Sequence, residues 1–172
     1  MKTALCISGE LRTFNNPNVI DNLKKYILDD LTPDVFLSVW DHVGMSIHQE
    51  KNFDSISKTF NVQELYNIYG NIKSVNVENL DNWLSSPGND SLKDRYRQWS
   101  THKNSSFDVA TTIPHFYKVY DTYKLKKDYE TNNNVNYDLV IKMRPDLLFV
   151  NYINKEIRPN TVYHNKIGRA HV

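Results

Sequence analysis

Apolar residues in this chain fall into short runs bounded by turn residues, and the period of the runs switches between that of a strand and that of a helix. Thr3 to Ser8, TALCIS, is apolar at nearly every position and closes on Gly9, as a buried strand does. Asn15-Asn16-Pro17 follows, pairing an Asn that can cap a helix with a Pro at the first helical position. Val19, Ile20, Leu23, Tyr26, Ile27 and Leu31 then recur at helical spacing, with Asp21, Asn22, Lys24 and Lys25 facing outward. Thr32-Pro33 ends that helix, and Asp34 to Trp40, DVFLSVW, predicts a second strand from its branched and aromatic residues. Strand, helix and strand in this length make a parallel βαβ unit.

The pattern weakens in the middle. Val62 to Tyr69 predicts a short helix stopped by Gly70, and Asn71 to Val77 alternates as a third strand does. Residues 81–106 contain Ser85-Ser86-Pro87-Gly88-Asn89-Asp90 and few apolar anchors, so they read as a long surface loop. A further helix is expected from Thr112, with Pro114 in its first turn. Ile113, Phe116, Tyr117, Tyr120 and Tyr123 give it an aromatic stripe expected to face the core. The predicted class is α/β: a Rossmann-like, mostly parallel sheet flanked by helices, in one domain over residues 1–165, with no internal repeat.

Tyr137 to Val150, YDLVIKMRPDLLFV, is the stretch on which a functional reading turns. Its apolar run predicts a strand buried on both faces, yet it carries Lys142, Arg144 and Asp146. Burying such charges costs several kcal/mol unless they are paired or the strand has reached its open end. Pro145 cannot donate to a ladder, so pairing is expected to stop there, leaving Arg144 and Asp146 at the carboxyl end. In open α/β sheets that end binds ligands, although an Arg–Asp pair that merely closes the strand accounts for the same residues.

Charge and composition narrow the classes. Lys and Arg total 21 against 20 Asp and Glu, and a net charge of +1 supplies no field favouring nucleic acid or an anionic membrane. Hydrophobic content of 40% marks a folded globule. Cys6 is the single cysteine, so no intrachain disulfide can form, and it reads as inert core within ALCI. No segment approaches the roughly 20 apolar residues of a membrane span. MKTALCIS is too short an apolar run for a signal peptide, so a cytoplasmic protein is the expectation. His42, His48, His102 and His115 show no metal-ligand spacing. Lys93, Arg95 and Arg97, interleaved with Tyr96 and Trp99, read as a solvated loop. Residues 166–172 stand apart: Ile167 to Val172 back-translates as ATC GGA AGA GCA CAC GTC, the start of a common short-read sequencing adapter. That tail is set aside as an artefact, and the natural chain is expected to continue past Asn165.

Three islands carry candidate chemistry. Ser8-Gly9-Glu10-Leu11-Arg12 lies where a βαβ unit meets phosphates, but its single Gly completes neither a dinucleotide fingerprint nor a P-loop. Arg12 offers a fork suited to phosphate oxygens. Trp40-Asp41-His42 ends the second strand, where a carboxylate can accept from a ribose; a core Trp and a turn Asp explain it as well. Arg144-Pro145-Asp146 ends the last strand. The patterns S-G-x-x-R, D-V-F-x-x-x-W and R-x-D-x-x-F, in that order, resemble a loosely defined group of glycosyltransferase-like proteins of bacteria and large viruses. These are similar to the WavE-type lipopolysaccharide synthesis proteins.

The resemblance implies a nucleotide-sugar-binding domain of the GT-A kind, acting in surface polysaccharide synthesis. Its partners would be a nucleoside-diphosphate sugar and a glycan or lipid-linked acceptor. By carry-over, Ser8, Gly9 and Arg12 would contact the nucleotide or its phosphates, with Asp41 and Arg144 completing the donor site. A GT-A strand usually ends in D-x-D, which holds Mn²⁺ or Mg²⁺ against the diphosphate. Here Arg144 replaces the first Asp, leaving Asp146 for a metal or a sugar hydroxyl, while Arg144 can neutralise the diphosphate itself. A general base would lie in the expected C-terminal continuation. The alternatives are a non-catalytic nucleotide- or carbohydrate-binding module and an unrelated doubly wound phosphate-ester hydrolase with Ser8 as its nucleophile.

Overall fold

The computed structural model describes residues 1–41, 61–94, 109–153 and 167–169. Four parallel strands form one sheet in the order β3-β2-β1-β4: β1 (Thr3–Gly9), β2 (Asp34–Trp40), β3 (Ile72–Glu78) and β4 (Leu139–Met143). Helices cover both faces, which is the Rossmann-like α/β arrangement expected. β1 is followed by α1 (Pro17–Leu23), which runs on through a π-helical turn, Lys24–Leu28, and a last turn, Asp29–Leu31. Asn16 caps α1 by accepting from the Asn18 N–H, and Thr32 closes the last turn in the left-handed region at φ 42°. α2 (Val62–Tyr69) is capped by Asn61 and stopped at Gly70, as its sequence predicted.

The two faces of the sheet are chemically different. Leu5 and Ile7 of β1, Val35, Leu37 and Val39 of β2, and Ile141 and Met143 of β4 share one face. They bury it against Leu23, Ile27, Leu65 and Tyr69 from the α1 segment and α2. On the other face Ala4, Cys6 and Phe36 make a small apolar cluster and Trp40 joins a second with Trp83 and Ile113, while between them the register aligns Ser8 with Ser38 and Ser38 with Asn76. That half-polar face is covered by α4 (Val109–Asn133), whose inward side carries Lys118, Thr122, Lys126 and Glu130, all buried. Between β3 and α4, Asn79 caps a further helix, α3 (Leu80–Ser85).

Four expectations change. Residues 81–106 are not all loop: α3 and a 3₁₀ turn, Pro87–Asn89, occupy the first part, and Trp83 is buried against Trp40. Lys93 is buried there too, donating to the Leu84 carbonyl at 2.6 Å and to Asp90 at 2.8 Å, while Arg95 to Trp99 and the rest of that segment lie outside the described residues. α4 begins at Val109 rather than Thr112, so Pro114 sits beyond its first turn. Its aromatic stripe is only partly core: Ile113 and Tyr117 pack with Trp40 and Trp83, whereas Phe116, Tyr120 and Tyr123 are more than half exposed. The sheet face beneath α4 is polar, and a polar helix side complements it better than rings would.

Finally, Tyr137 to Val150 is not one strand buried on both faces. β4 is the edge of the four-stranded sheet, with Val140 and Lys142 exposed on its α4 side. It ends at Met143, a turn at Pro145-Asp146 follows, and β5 (Leu147–Phe149) pairs antiparallel with β6 (Ile167–Arg169), inside the tail set aside on sequence.

Candidate functional site

Strand order 3-2-1-4 places a topological switch point between β1 and β4. From β1 the chain moves toward β2 and β3, and it returns to the far side of β1 only with β4. Loops leaving the carboxyl ends of two such strands diverge and leave a crevice. Two of the three sequence islands lie there, one leaving β1 and the other leaving β4.

Gly9 ends β1 at φ 111°, a conformation that L side chains rarely adopt. A Cβ there would stand 3.8 Å from Nδ1 of His115, so α4 passes close over the end of β1. The next turn is pinned by Leu11 and Phe14, both buried, and closed by the Phe14 N–H donating to the Leu11 carbonyl at 2.8 Å. Arg12 sits at its crest with φ 36°. A non-glycine residue held there stores about 1–3 kcal/mol of strain, and such strain persists only where its surroundings impose it. Arg12 Nε donates to Glu10 at 3.2 Å, and its Nη1 is 3.8 Å from Asp146.

Across the crevice, Arg144 grips Asp146 with both prongs of its guanidinium, Nε donating at 3.0 Å and Nη2 at 2.5 Å. The segment is held by β5: Phe149 is buried, and its backbone makes a reciprocal amide pair with Asn22 of α1 at 2.7 and 2.9 Å. The arginine side chains are 33% and 38% exposed and Asp146 only 12%, so the guanidiniums face the mouth and the carboxylate lies beneath them. The Tyr69 hydroxyl is buried with no hydrogen-bond partner among the described residues; burial, and then the charge of Asp146, raise its pKa.

His115 and Lys142 complete the cluster. α4 runs antiparallel to the strands: Thr122 bonds the Ile7 carbonyl, and Tyr129 reaches Phe36 near the amino ends. Its N-terminal part therefore arrives over the crevice. The His115 imidazole makes no hydrogen bond among the described residues; its one ring contact is edge-on to Phe116. Its pKa is lowered, first by burial and then by Lys142, Arg144 and Arg12, with Glu10 opposing. Partial desolvation and then Arg144 lower Lys142 as well. Three cations, one imidazole and two carboxylates, each already bonded to a guanidinium, thus share one crevice.

Of the residues singled out on sequence, Gly9, Arg12, Arg144 and Asp146 are brought together. Ser8 is adjacent but turned under α4, 1% exposed, with its hydroxyl unpartnered among the described residues. Asp41 is not in the crevice: it ends β2, accepts from Asn79 at 2.9 Å, and joins a separate network on the α4 face. There Lys118 donates to Glu78 at 2.6 Å and lies 4.2 Å from the Trp40 ring, while Asp121 accepts from Ser38 and Asn76, each at 2.7 Å. His42, His48 and His102 fall outside the described residues. His115 was missed as a site residue because nothing local distinguishes it; only the path of α4 places it beside Gly9.

The comparisons with known proteins add nothing to this geometry: no protein-family model, no curated protein and no solved structure matches the chain.

A crevice of this kind can bind an anion with several oxygens, since guanidinium forks meet phosphate in bidentate fashion and a lysine adds a point charge. It fits a divalent cation less well. Both oxygens of Asp146 are engaged by Arg144, Glu10 is bonded to Arg12, and a metal would have to displace these guanidiniums from the carboxylates and sit beside them. Among the described residues no group of three or more His, Cys, Asp or Glu is placed to hold a metal ion, and no helix is long and apolar enough to cross a membrane.

Proposed function

We propose that the β1/β4 crevice binds the diphosphate of a nucleoside-diphosphate sugar and that the chain is a glycosyltransferase-like domain. Its acceptor would be a glycan or a lipid-linked glycan of surface polysaccharide synthesis. The observation that carries this reading is the convergence of Arg12 and Arg144 on Asp146 at the switch point, beside a Gly9 that α4 closely approaches. The resemblance to glycosyltransferase-like proteins supplies the sugar and the acceptor.

In glycosyl transfer the bond between the anomeric carbon and the diphosphate oxygen breaks, and the diphosphate leaves with the electron pair. The acceptor hydroxyl forms the new bond and gives up its proton. Charge accumulates on the leaving diphosphate, and we assign its stabilisation to Arg12, Lys142 and Arg144, the two arginines being already oriented by Glu10 and Asp146. The donor set at Asp146 does not suit a metal, so the guanidiniums take the part that Mn²⁺ or Mg²⁺ plays in D-x-D enzymes. Ser8, the nucleophile a phosphate-ester hydrolase would use, is turned under α4, which favours transfer or binding over hydrolysis.

Thermal shift with UDP-, GDP- and CMP-sugars, with and without Mn²⁺, tests the reading. At least one diphosphate donor is expected to stabilise the protein, equally with and without metal. Arg144→Ala is expected to weaken that donor by tenfold or more, the loss of a charge-assisted bidentate contact. No stabilisation by any donor, or full affinity in Arg144→Ala, would overturn it.

A further inference from the structure

We propose that His115 is a phosphate-contacting residue of the crevice, and that a diphosphate docking there is accompanied by uptake of one proton onto its imidazole. The inference rests on the diphosphate-binding reading above and goes beyond it by naming a residue and a linked proton.

The geometry places Nδ1 of the imidazole over Gly9, where α4 passes the end of β1, with no hydrogen bond to the ring among the described residues. Among the described residues, the charged groups that act on it are Glu10 and Arg12 from the loop after β1, and Lys142 and Arg144 from β4 and the turn beyond. Three of these four are cations. With burial, they disfavour a fourth positive charge, so the ring is held neutral near pH 7 while the crevice is free. A neutral imidazole offers a single N–H donor.

A docked diphosphate reverses the field. It brings about two negative charges among Arg12, Lys142 and Arg144, and beside them an imidazolium becomes favourable. The ring then takes a proton from the solvent and donates a charge-assisted hydrogen bond to a phosphate oxygen. Binding and protonation become linked: lowering the pH toward the ring's free pKa strengthens binding, and raising it withdraws one of the contacts.

The experiment is calorimetric titration of the full chain with UDP-glucose and GDP-mannose between pH 5.5 and 8. The diphosphate of these diesters does not itself titrate in that range. Repeating each titration in buffers of different ionisation enthalpy reads the proton count directly. Uptake approaching one proton is expected, with affinity falling as pH rises, by at most about tenfold per unit. His115→Gln is expected to bind with no uptake and a flat profile, and His115→Asn, which keeps an amide near the Nδ1 position, to do the same with less loss of affinity. Should neither variant fold, NMR titration of the imidazole C–H signals in the unaltered protein decides: the ring's pKa must rise when UDP-glucose is added. Binding without proton uptake, uptake unchanged in His115→Gln, or an imidazole pKa indifferent to ligand would overturn the role of His115 and leave diphosphate binding standing. Failure of both nucleotide sugars and of inorganic pyrophosphate to bind would overturn both.

Discussion

Removing one member of the Lys118–Glu78 pair is expected to do far more damage than removing the other. Lys118 has no exposed side-chain surface, whereas Glu78 is 30% exposed. Glu78 also accepts from the Tyr117 hydroxyl and from Asn76, each at 3.0 Å. Glu78→Leu leaves an ammonium deep under α4 without its 2.6 Å acceptor. Breaking a buried pair in this way costs about 3–5 kcal/mol. For a chain of this size, that corresponds to a fall of roughly 6–20 °C in Tm. Lys118→Met keeps the length and apolar stem of the side chain and removes the buried charge. Glu78 retains two donors and access to water, so the cost is expected to stay below about 1.5 kcal/mol, and a gain is within the usual range for such replacements.

The protonation of Lys118 argues the same way. Burial lowers its pKa below the ordinary 10.5 despite the pull of Glu78 and Asp121. The unfolded chain therefore binds the proton more tightly, and stability rises with pH in the window just below 10.5. Methionine carries no charge to desolvate and escapes that penalty. Urea unfolding at pH 7, analysed with a common m-value, measures both variants, and adding Lys118→Met to Glu78→Leu should recover most of the loss. Equal costs for the two single variants, or no recovery in the double, would show that the buried charge of Lys118 is not what Glu78 offsets.

Three further outcomes are expected. Gly9→Ala should cost about 1–3 kcal/mol in urea unfolding through backbone strain alone, since its Cβ would meet His115 at an ordinary 3.8 Å; a cost near zero would show that the turn relaxes. Cys6 should resist iodoacetamide at pH 8 until the protein unfolds, because burial, opposed by Lys126, pushes its thiol pKa up to about 12; rapid labelling of the native protein would contradict this. Deleting residues 166–172 removes, among the described residues, the three-residue β6 partner of β5 and should move Tm by no more than about 2 °C; a larger fall would mean that the tail belongs to the fold.

How much of the fold the sequence discloses depends on how completely each element is buried. β2 and α2 appear with their predicted bounds, and β1 differs by one residue, because their apolar spacing is set by the core and their ends by Asn, Pro and Gly. α3 was missed although Leu80, Trp83 and Leu84 stand at helical spacing behind a capping Asn79, since a Ser-Pro-Gly cluster dominates the segment after it. The aromatic stripe of α4 misled for a different reason. Hydrophobic periodicity assumes that the face to be covered is apolar. Ser8, Ser38, Asn76 and Glu78 alternate along three strands and make that face polar, a signal readable only once the strands are in register.

The crevice was half legible for the same reason. Gly9, Arg12, Arg144 and Asp146 could be picked out because they end strands, and strand ends are visible in one dimension. Asp41 ends a strand equally well but stands on the wrong side of β1, a fact that only the order 3-2-1-4 contains. His115 ends nothing. It enters because α4 crosses a polar face, with Thr122 bonded to the Ile7 carbonyl and Lys118 to Glu78, and those two contacts set how far the helix slides along β1. One helical turn of slip is about 5.4 Å, enough to carry the imidazole out of reach of Gly9. The buried polar network under α4 and the cationic crevice at its N-terminal part are therefore coupled. Glu78→Leu, beyond its cost in stability, should also weaken the proton linkage at His115, whereas Lys126→Met, farther along the helix and, among the described residues, hydrogen-bonded to Glu130 on the same element, should leave it intact.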